Sequence, residues 1–144
     1  MLITKECDYG IRIIRALATG TKKTARAIST EELIPHKFAC KIIKKLEHAE
    51  YVKSTLGSNG GYRLIRPLNT LTLADIITAI DTNRCISKCL SDDSDCVFKG
   101  QQKKQCNVHR ELMRTQDIVM EALSSKTMDA VLYGDAPISS LNTG

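Results

Sequence analysis

The chain has 144 residues, 42% hydrophobic and 26% charged, the balance of an ordinary globular protein of one compact domain or a small domain with an appended element. No apolar run approaches the length that crosses a bilayer and the N-terminus lacks a secretory pattern, so the expected location is the cytoplasm. The net charge of +5 is unevenly spread: up to Leu68, 13 Lys/Arg face 6 Asp/Glu, and from Asn69 onward 8 face 10, as if a polyanion-binding front were joined to a nearly neutral back.

Taken in chain order, Ile11, Ile14, Leu17 and Ala18 form the apolar stripe of an amphipathic helix that Gly20 ends. A second, short helix opens after Thr24 as its N-cap. Beyond the link Leu33-Ile34, Pro35 opens a third at its first position. From His36 to Glu50 the residues Phe38, Ile42, Ile43, Leu46 and Ala49 recur at three- and four-residue spacings. Two short helices joined by a tight turn, the second one basic, make a helix-turn-helix. Tyr51 to Leu56 reads as a strand, Gly57-Ser-Asn-Gly-Gly as a turn, and Tyr62 to Ile65 as a second strand stopped by Pro67. A glycine-rich hairpin directly after a basic helix is a wing, with glycines for the tight turn and a close approach to a DNA groove. The expected fold is therefore mostly α with a small β-hairpin wing: a winged helix-turn-helix over residues 1–81.

Thr72 caps a further helix running to Asp81. Residues 82–106 hold no period and read as a loop containing Cys85, Cys89, Cys96 and Cys106. Helix returns near Asn107, with an apolar seam of Leu112, Val119 and Leu123 interrupted by Gln116. Such a lone seam needs a partner. Residues 107–133 thus form a long helix plus a final turn over Thr127–Leu132, and 134–144 a loose tail.

Six cysteines are many for a chain in a reducing compartment, and a cluster of four points to metal or redox chemistry before disulfides. The C-x6-C-x9-C spacing of Cys89, Cys96 and Cys106 is too wide for a knuckle-type zinc site and suits a loop around a larger cofactor. No phosphate-cradling loop with Lys, nucleophile elbow or paired-acid motif is present, and the glycines of GSNGGY lie between two strands. No enzyme is indicated.

The segments ITKECDYGIRII, IPHKF…KIIKKLEHAEYV, GSNGGYRL and LTLADIITAID, with a cysteine loop ending in CNVH before a long helix, resemble the Rrf-type regulators (IscR-, NsrR- and CymR-like proteins) over nearly the whole chain. The resemblance implies a homodimeric winged-helix transcription regulator, most often a repressor of its operator. The long helix, with Leu112, Gln116, Val119 and Leu123, would make the dimer contact. Several members carry a [2Fe-2S] or [4Fe-4S] cluster and respond to nitric oxide, iron supply or redox state, while others carry none. Relatives show three loop cysteines, which here map to Cys89, Cys96 and Cys106, with Cys85 as an extra. The resemblance offers two fillers for the fourth position: His109, three residues after Cys106, and Asp8, reaching across the dimer. It assigns no role to Cys7.

On the helix-turn-helix, the side chains expected at base edges are His36, Lys37, Cys40, Lys41 and Lys44. Lys44, Lys45 and Lys53 are candidates for phosphate contacts, and the wing tip Ser58-Asn59-Gly60 would enter the minor groove. Two alternatives use the same residues: a cluster-free thiol or metabolite sensor of the same fold, and a metal-binding protein-interaction module.

Overall fold

A computed structural model of the chain describes residues 3–83, 85–91 and 106–134. Within them the chain order is α1 (Lys5–Leu17), α2 (Ala25–Glu32), α3 (His36–His48), β1 (Val52–Thr55), β2 (Gly61–Leu64), α4 (Leu73–Ile80), α5 (Asn107–Ser124) and α6 (Met128–Tyr133), with short 3₁₀ turns at Leu68–Thr70 and Lys88–Leu90.

Each of the first helices begins where a local side chain satisfies its free amides. Thr4 caps α1 by accepting from Cys7 N, with Glu6 and Asp8 in the first turn favoured by the helix dipole. Thr24 caps α2 through Ala27 N. Thr72 and Asp75 close a reciprocal capping box on α4. Between α2 and α3 the chain turns through Leu33, which stands in the left-handed region at φ 54°. Ser29 ties this turn by donating to the Ile34 carbonyl at 2.5 Å. Pro35 stands as the cap just outside α3, one residue earlier than the sequence suggests, because helical dihedrals begin at His36.

The core lies where α1, α3 and α4 meet. Ile13, Ile14 and Leu17 of α1, Ile42, Ile43 and Leu46 of α3, and Ile76 and Ile77 of α4 are all fully buried. Gly10 lets α4 come close: a Cβ there would sit 2.9 Å from Ile80 Cγ1. Arg15 joins α1 to α2 through both oxygens of the buried Glu32, at 3.1 and 2.5 Å. Tyr9 and Phe38 add a tilted ring contact between α1 and α3, with centroids 5.9 Å apart.

The hairpin is antiparallel, with Val52 opposite Leu64, Lys53 opposite Arg63, Ser54 opposite Tyr62 and Thr55 opposite Gly61. A third segment joins it. Lys23, just ahead of α2, exchanges two backbone bonds with Tyr62, at 3.0 and 2.7 Å. Gly61 makes that approach possible, since a Cβ would lie 2.9 Å from the Lys23 carbonyl carbon and oxygen.

The C-terminal turn expected over Thr127–Leu132 is a helix, α6, and part of the main core. Met128 is fully buried and its amide donates to the Leu71 carbonyl at 2.6 Å. The tail expected at 134–144 lies outside the described residues beyond Gly134. Among the described residues no helix is long and apolar enough to cross a membrane.

Candidate nucleic-acid interface and cysteine site

Because α3 buries Ala39, Ile42, Ile43 and Leu46, its opposite face carries Lys37, Lys41, Lys44 and His48, all exposed. His36 begins the helix, also exposed, and its Nε2 lies 3.5 Å from the half-buried Cys40 Sγ. Glu47 of α3 accepts from Ser54 N at 3.1 Å and so fixes the wing against the helix. At the wing tip Ser58 and Asn59 are exposed and Gly60 is half-buried. A Cβ on Gly60 would lie 2.5 Å from the Thr55 carbonyl oxygen, which explains the paired glycines.

The lysines on this surface are not equivalent. Lys53 and Lys44 are exposed. Lys45 Nζ instead donates to Glu6 at 3.0 Å and to the Ile80 carbonyl at 2.9 Å, so this cation is engaged inside the chain. Lys41 Nζ donates to the other Glu6 oxygen at 2.5 Å. The two lysines hold the Glu6 carboxyl below the usual carboxylate range, Lys41 contributing most.

Two features of this face escaped the sequence reading. Arg63 is exposed and directly opposite Lys53, so one side of the wing presents two cations to the same space. Cross-strand like charges cost stability and mark a surface suited to a polyanion. Leu56 at the wing tip is 95% exposed. Alternation along β2 carries the signal for Arg63, once the register Lys53–Arg63 is known.

The cysteine site forms at the head of α5. Cys106 is the N-cap, and its Sγ accepts from His109 N at 3.5 Å. Among the described residues, the buried His109 Nδ1 has no hydrogen-bond partner. Cys85, Cys89 and Cys106 are free and half-buried. The 3₁₀ turn carrying Cys89 packs on α5, and Gln116 of α5 accepts from Ile86 N at 3.0 Å. The polar interruption in the apolar seam thus holds the cysteine segment. Cys96 lies outside the described residues, and among the described residues no three His, Cys, Asp or Glu side chains gather in a metal-holding group.

Asp8 stands elsewhere. Its Oδ2 accepts from Arg12 Nε at 3.0 Å and Nη2 at 2.7 Å, while Arg12 Nη1 donates to the Glu32 carbonyl. Cys7 is a fully buried core residue whose thiol takes the Thr4 hydroxyl hydrogen at 3.3 Å.

Along α5 the seam residues Leu112, Gln116, Val119 and Leu123 are half-buried, and Leu123 packs against the core. No α5 residue is fully buried. Val108, Met113 and Ile118 remain exposed at 68%, 47% and 51%, at three positions spread around the helix.

A family model described as "Rrf2: Iron-dependent Transcriptional regulator" matches residues 3–134. Protein aau3 of Rhizobium meliloti (strain 1021) is 27% identical over 148 residues, spanning 98% of this chain and 91% of the relative. Among solved structures, CymR, the global cysteine regulator of B. subtilis, is similar with a TM-score of 0.69 and 22% identity, covering 94% of this chain and 99% of that one. IscR of T. potens gives a TM-score of 0.70 at 20% identity, covering 100% and 94%. Both likenesses bear on the fold, which is the winged helix with an appended long helix. The match to the family model, which takes in α3, the wing and the cysteine segment alike, shows that the chain belongs to the Rrf2 family of winged-helix transcriptional regulators.

Proposed function

We propose that this regulator is a repressor that binds operator duplex DNA as a homodimer and senses redox state, nitric oxide or iron through an iron–sulfur cluster. Cys89, Cys96 and Cys106 would hold the cluster, with His109 in the fourth position. DNA would be met by the outer face of α3, with His36, Lys37, Cys40, Lys41 and Lys44, and by the wing, with Lys53, Arg63 and Ser58-Asn59-Gly60. The dimer would form along α5, whose half-buried seam of Leu112, Gln116, Val119 and Leu123 continues into the exposed Val108 one turn before Leu112.

The observation that carries the cluster is the buried Nδ1 of His109, which has no partner among the described residues. A buried ring nitrogen without a partner costs free energy, and a metal is one of the few groups that repays it. It stands three residues from the half-buried Cys106 thiol, on the helix against which the turn carrying Cys89 packs. The donor set of soft thiolates and one imidazole suits iron in a cluster. Asp8 is the weaker candidate, because it would first have to give up two hydrogen bonds from Arg12. Bound, such a group would supply a redox-responsive centre, and Cys89, Cys96, Cys106 and His109 are the residues that would hold it. The chain's own residues carry the consequence: Gln116 links the cysteine segment to α5, and the same segment follows directly on α4, whose last carbonyl holds Lys45 of α3.

Anaerobic reconstitution with iron and sulfide, followed by visible absorption, tests this. The parent, Cys85→Ala and Cys40→Ala should colour, and Cys89→Ala, Cys96→Ala and Cys106→Ala should not, because two thiolates retain iron poorly. His109→Ala should colour with an altered spectrum. A colourless parent that still binds duplex DNA would overturn the cluster and leave the cluster-free thiol or metabolite sensor of the same fold. Bleaching by Cys85→Ala but not Cys89→Ala would move the ligand set by one cysteine, and a spectrum altered by Asp8→Ala alone would exchange the fourth ligand.

A further inference from the structure

Glu6 borders the candidate DNA face of α3. Its Oε1 accepts from Lys41 Nζ at 2.5 Å and its Oε2 from Lys45 Nζ at 3.0 Å, so one carboxylate occupies two cations of that helix. Lys45 is further held by the Ile80 carbonyl at 2.9 Å, the last residue of α4. None of the three side chains is sealed off: 54% of the Lys41, 34% of the Lys45 and 29% of the Glu6 side-chain surface is exposed. Lys41 lies on the same outer face as Lys37 and Lys44 and, among the described residues, has one acidic partner; Lys45, at the edge of that face, has two acceptors among them.

We propose that Glu6 is a positioning residue for DNA binding, a built-in competitor that occupies Lys41 and Lys45 in place of DNA phosphates and thereby weakens binding to any duplex. The inference rests on the DNA-binding reading of α3. Sequence-independent affinity comes from lysine–phosphate contacts that release condensed counterions, so each cation tied to a carboxylate is one fewer available for release. Two lysines and one glutamate present a net charge of +1 at this edge where the lysines alone would present +2. Lys41, with the fewer acceptors and the greater exposure, is the cation that exchanges Glu6 for phosphate. Lys45, anchored also to α4, exchanges last.

The test is anisotropy of a labelled random-sequence duplex titrated with the full chain over a series of salt concentrations. Glu6→Gln, close in size to the parent side chain but uncharged, should tighten binding at low salt and steepen the slope of log K against log salt by about 0.9 for each lysine that gains a phosphate. That corresponds to roughly eightfold per lysine at 0.1 M salt relative to 1 M. Adding Lys41→Met to Glu6→Gln should remove most of the steepening. A merely structural role for Glu6 predicts the reverse, weaker binding at every salt with no steeper slope, and that result overturns the proposal. Should Glu6→Gln fold poorly, Glu6→Asp keeps the charge but is a methylene too short to reach both ammonium groups, and it should steepen the slope by less. Failure of the parent itself to bind duplex would instead remove the DNA reading of α3, and this inference with it.

Discussion

Replacing Gly61 by alanine would put a methyl group 2.9 Å from both the carbonyl carbon and the oxygen of Lys23, and 3.3 Å from Thr24 N. All three neighbours are backbone, so no side-chain rotation relieves the contact. The segment ahead of α2 must move, and both Lys23–Tyr62 backbone bonds, at 3.0 and 2.7 Å, are lost or stretched. Two such bonds contribute about 1–3 kcal/mol together. The backbone at φ +155° is a conformation that side-chain-bearing residues rarely adopt, which adds about 1 kcal/mol or more. The expected destabilisation is therefore about 2–4 kcal/mol, read as a shift in urea midpoint by far-UV circular dichroism. Gly20→Ala is the matched control. Its φ is +78° but nothing lies within 4 Å of the added Cβ, so only the conformational cost of about 1 kcal/mol applies. Equal midpoints for Gly61→Ala and Gly20→Ala would show that the close approach of Lys23 does not hold the wing.

On α5, Ile118→Asp places a charge on an exposed apolar position that the fold of one chain does not need, and Val119→Asp does so on the half-buried seam. Both variants should sediment as monomers. If Ile118→Asp remains a dimer while Val119→Asp does not, the seam and not the exposed flank is the contact. The Glu6 carboxyl, held below its usual value by Lys41 and Lys45, contributes stability that is fully present above the unfolded value of 4.5 and is lost as pH falls through its lowered value. The stability difference between parent and Glu6→Gln should therefore stay constant, at about 1 kcal/mol or less, from pH 7 to 5 and shrink in stronger acid. A difference that does not change with pH would mean that the ion pairs contribute nothing.

How far the sequence foretold this molecule depends on how local each feature is. Thr24 and Thr72 cap their helices where a polar residue precedes an apolar period, and the wing lies where GSNGG separates two short apolar runs. Those signals span only a few residues. The Lys23 bridge to Tyr62 could not be read, because it needs two backbones 39 positions apart to meet and the lysine itself carries no strand pattern. The ties of Lys45 within the chain could not be read for the same reason: its partners Glu6 and Ile80 are remote in sequence. Gln116 was visible only as a flaw in an apolar seam, and its purpose appears once Ile86 N lies 3.0 Å away. Cys7, equally opaque, is explained by burial in the core beside Thr4. Met128 carried too short a period to announce that α6 completes the core.

The register that sets Lys53 across from Arg63 leaves a local conflict in the free protein. Two positive side chains on neighbouring strands, with Cβ atoms about 5 Å apart, repel each other, and the hairpin is less stable for it. Such frustration is tolerated where function requires it, and here an anion between the two side chains would turn repulsion into attraction. Dissolved salt acts on the two halves of this balance in opposite directions. It screens the repulsion and so steadies the empty wing, while it weakens every lysine–phosphate contact the wing could make. The wing therefore has most to gain from a polyanion at low ionic strength, where its own hairpin is strained the most.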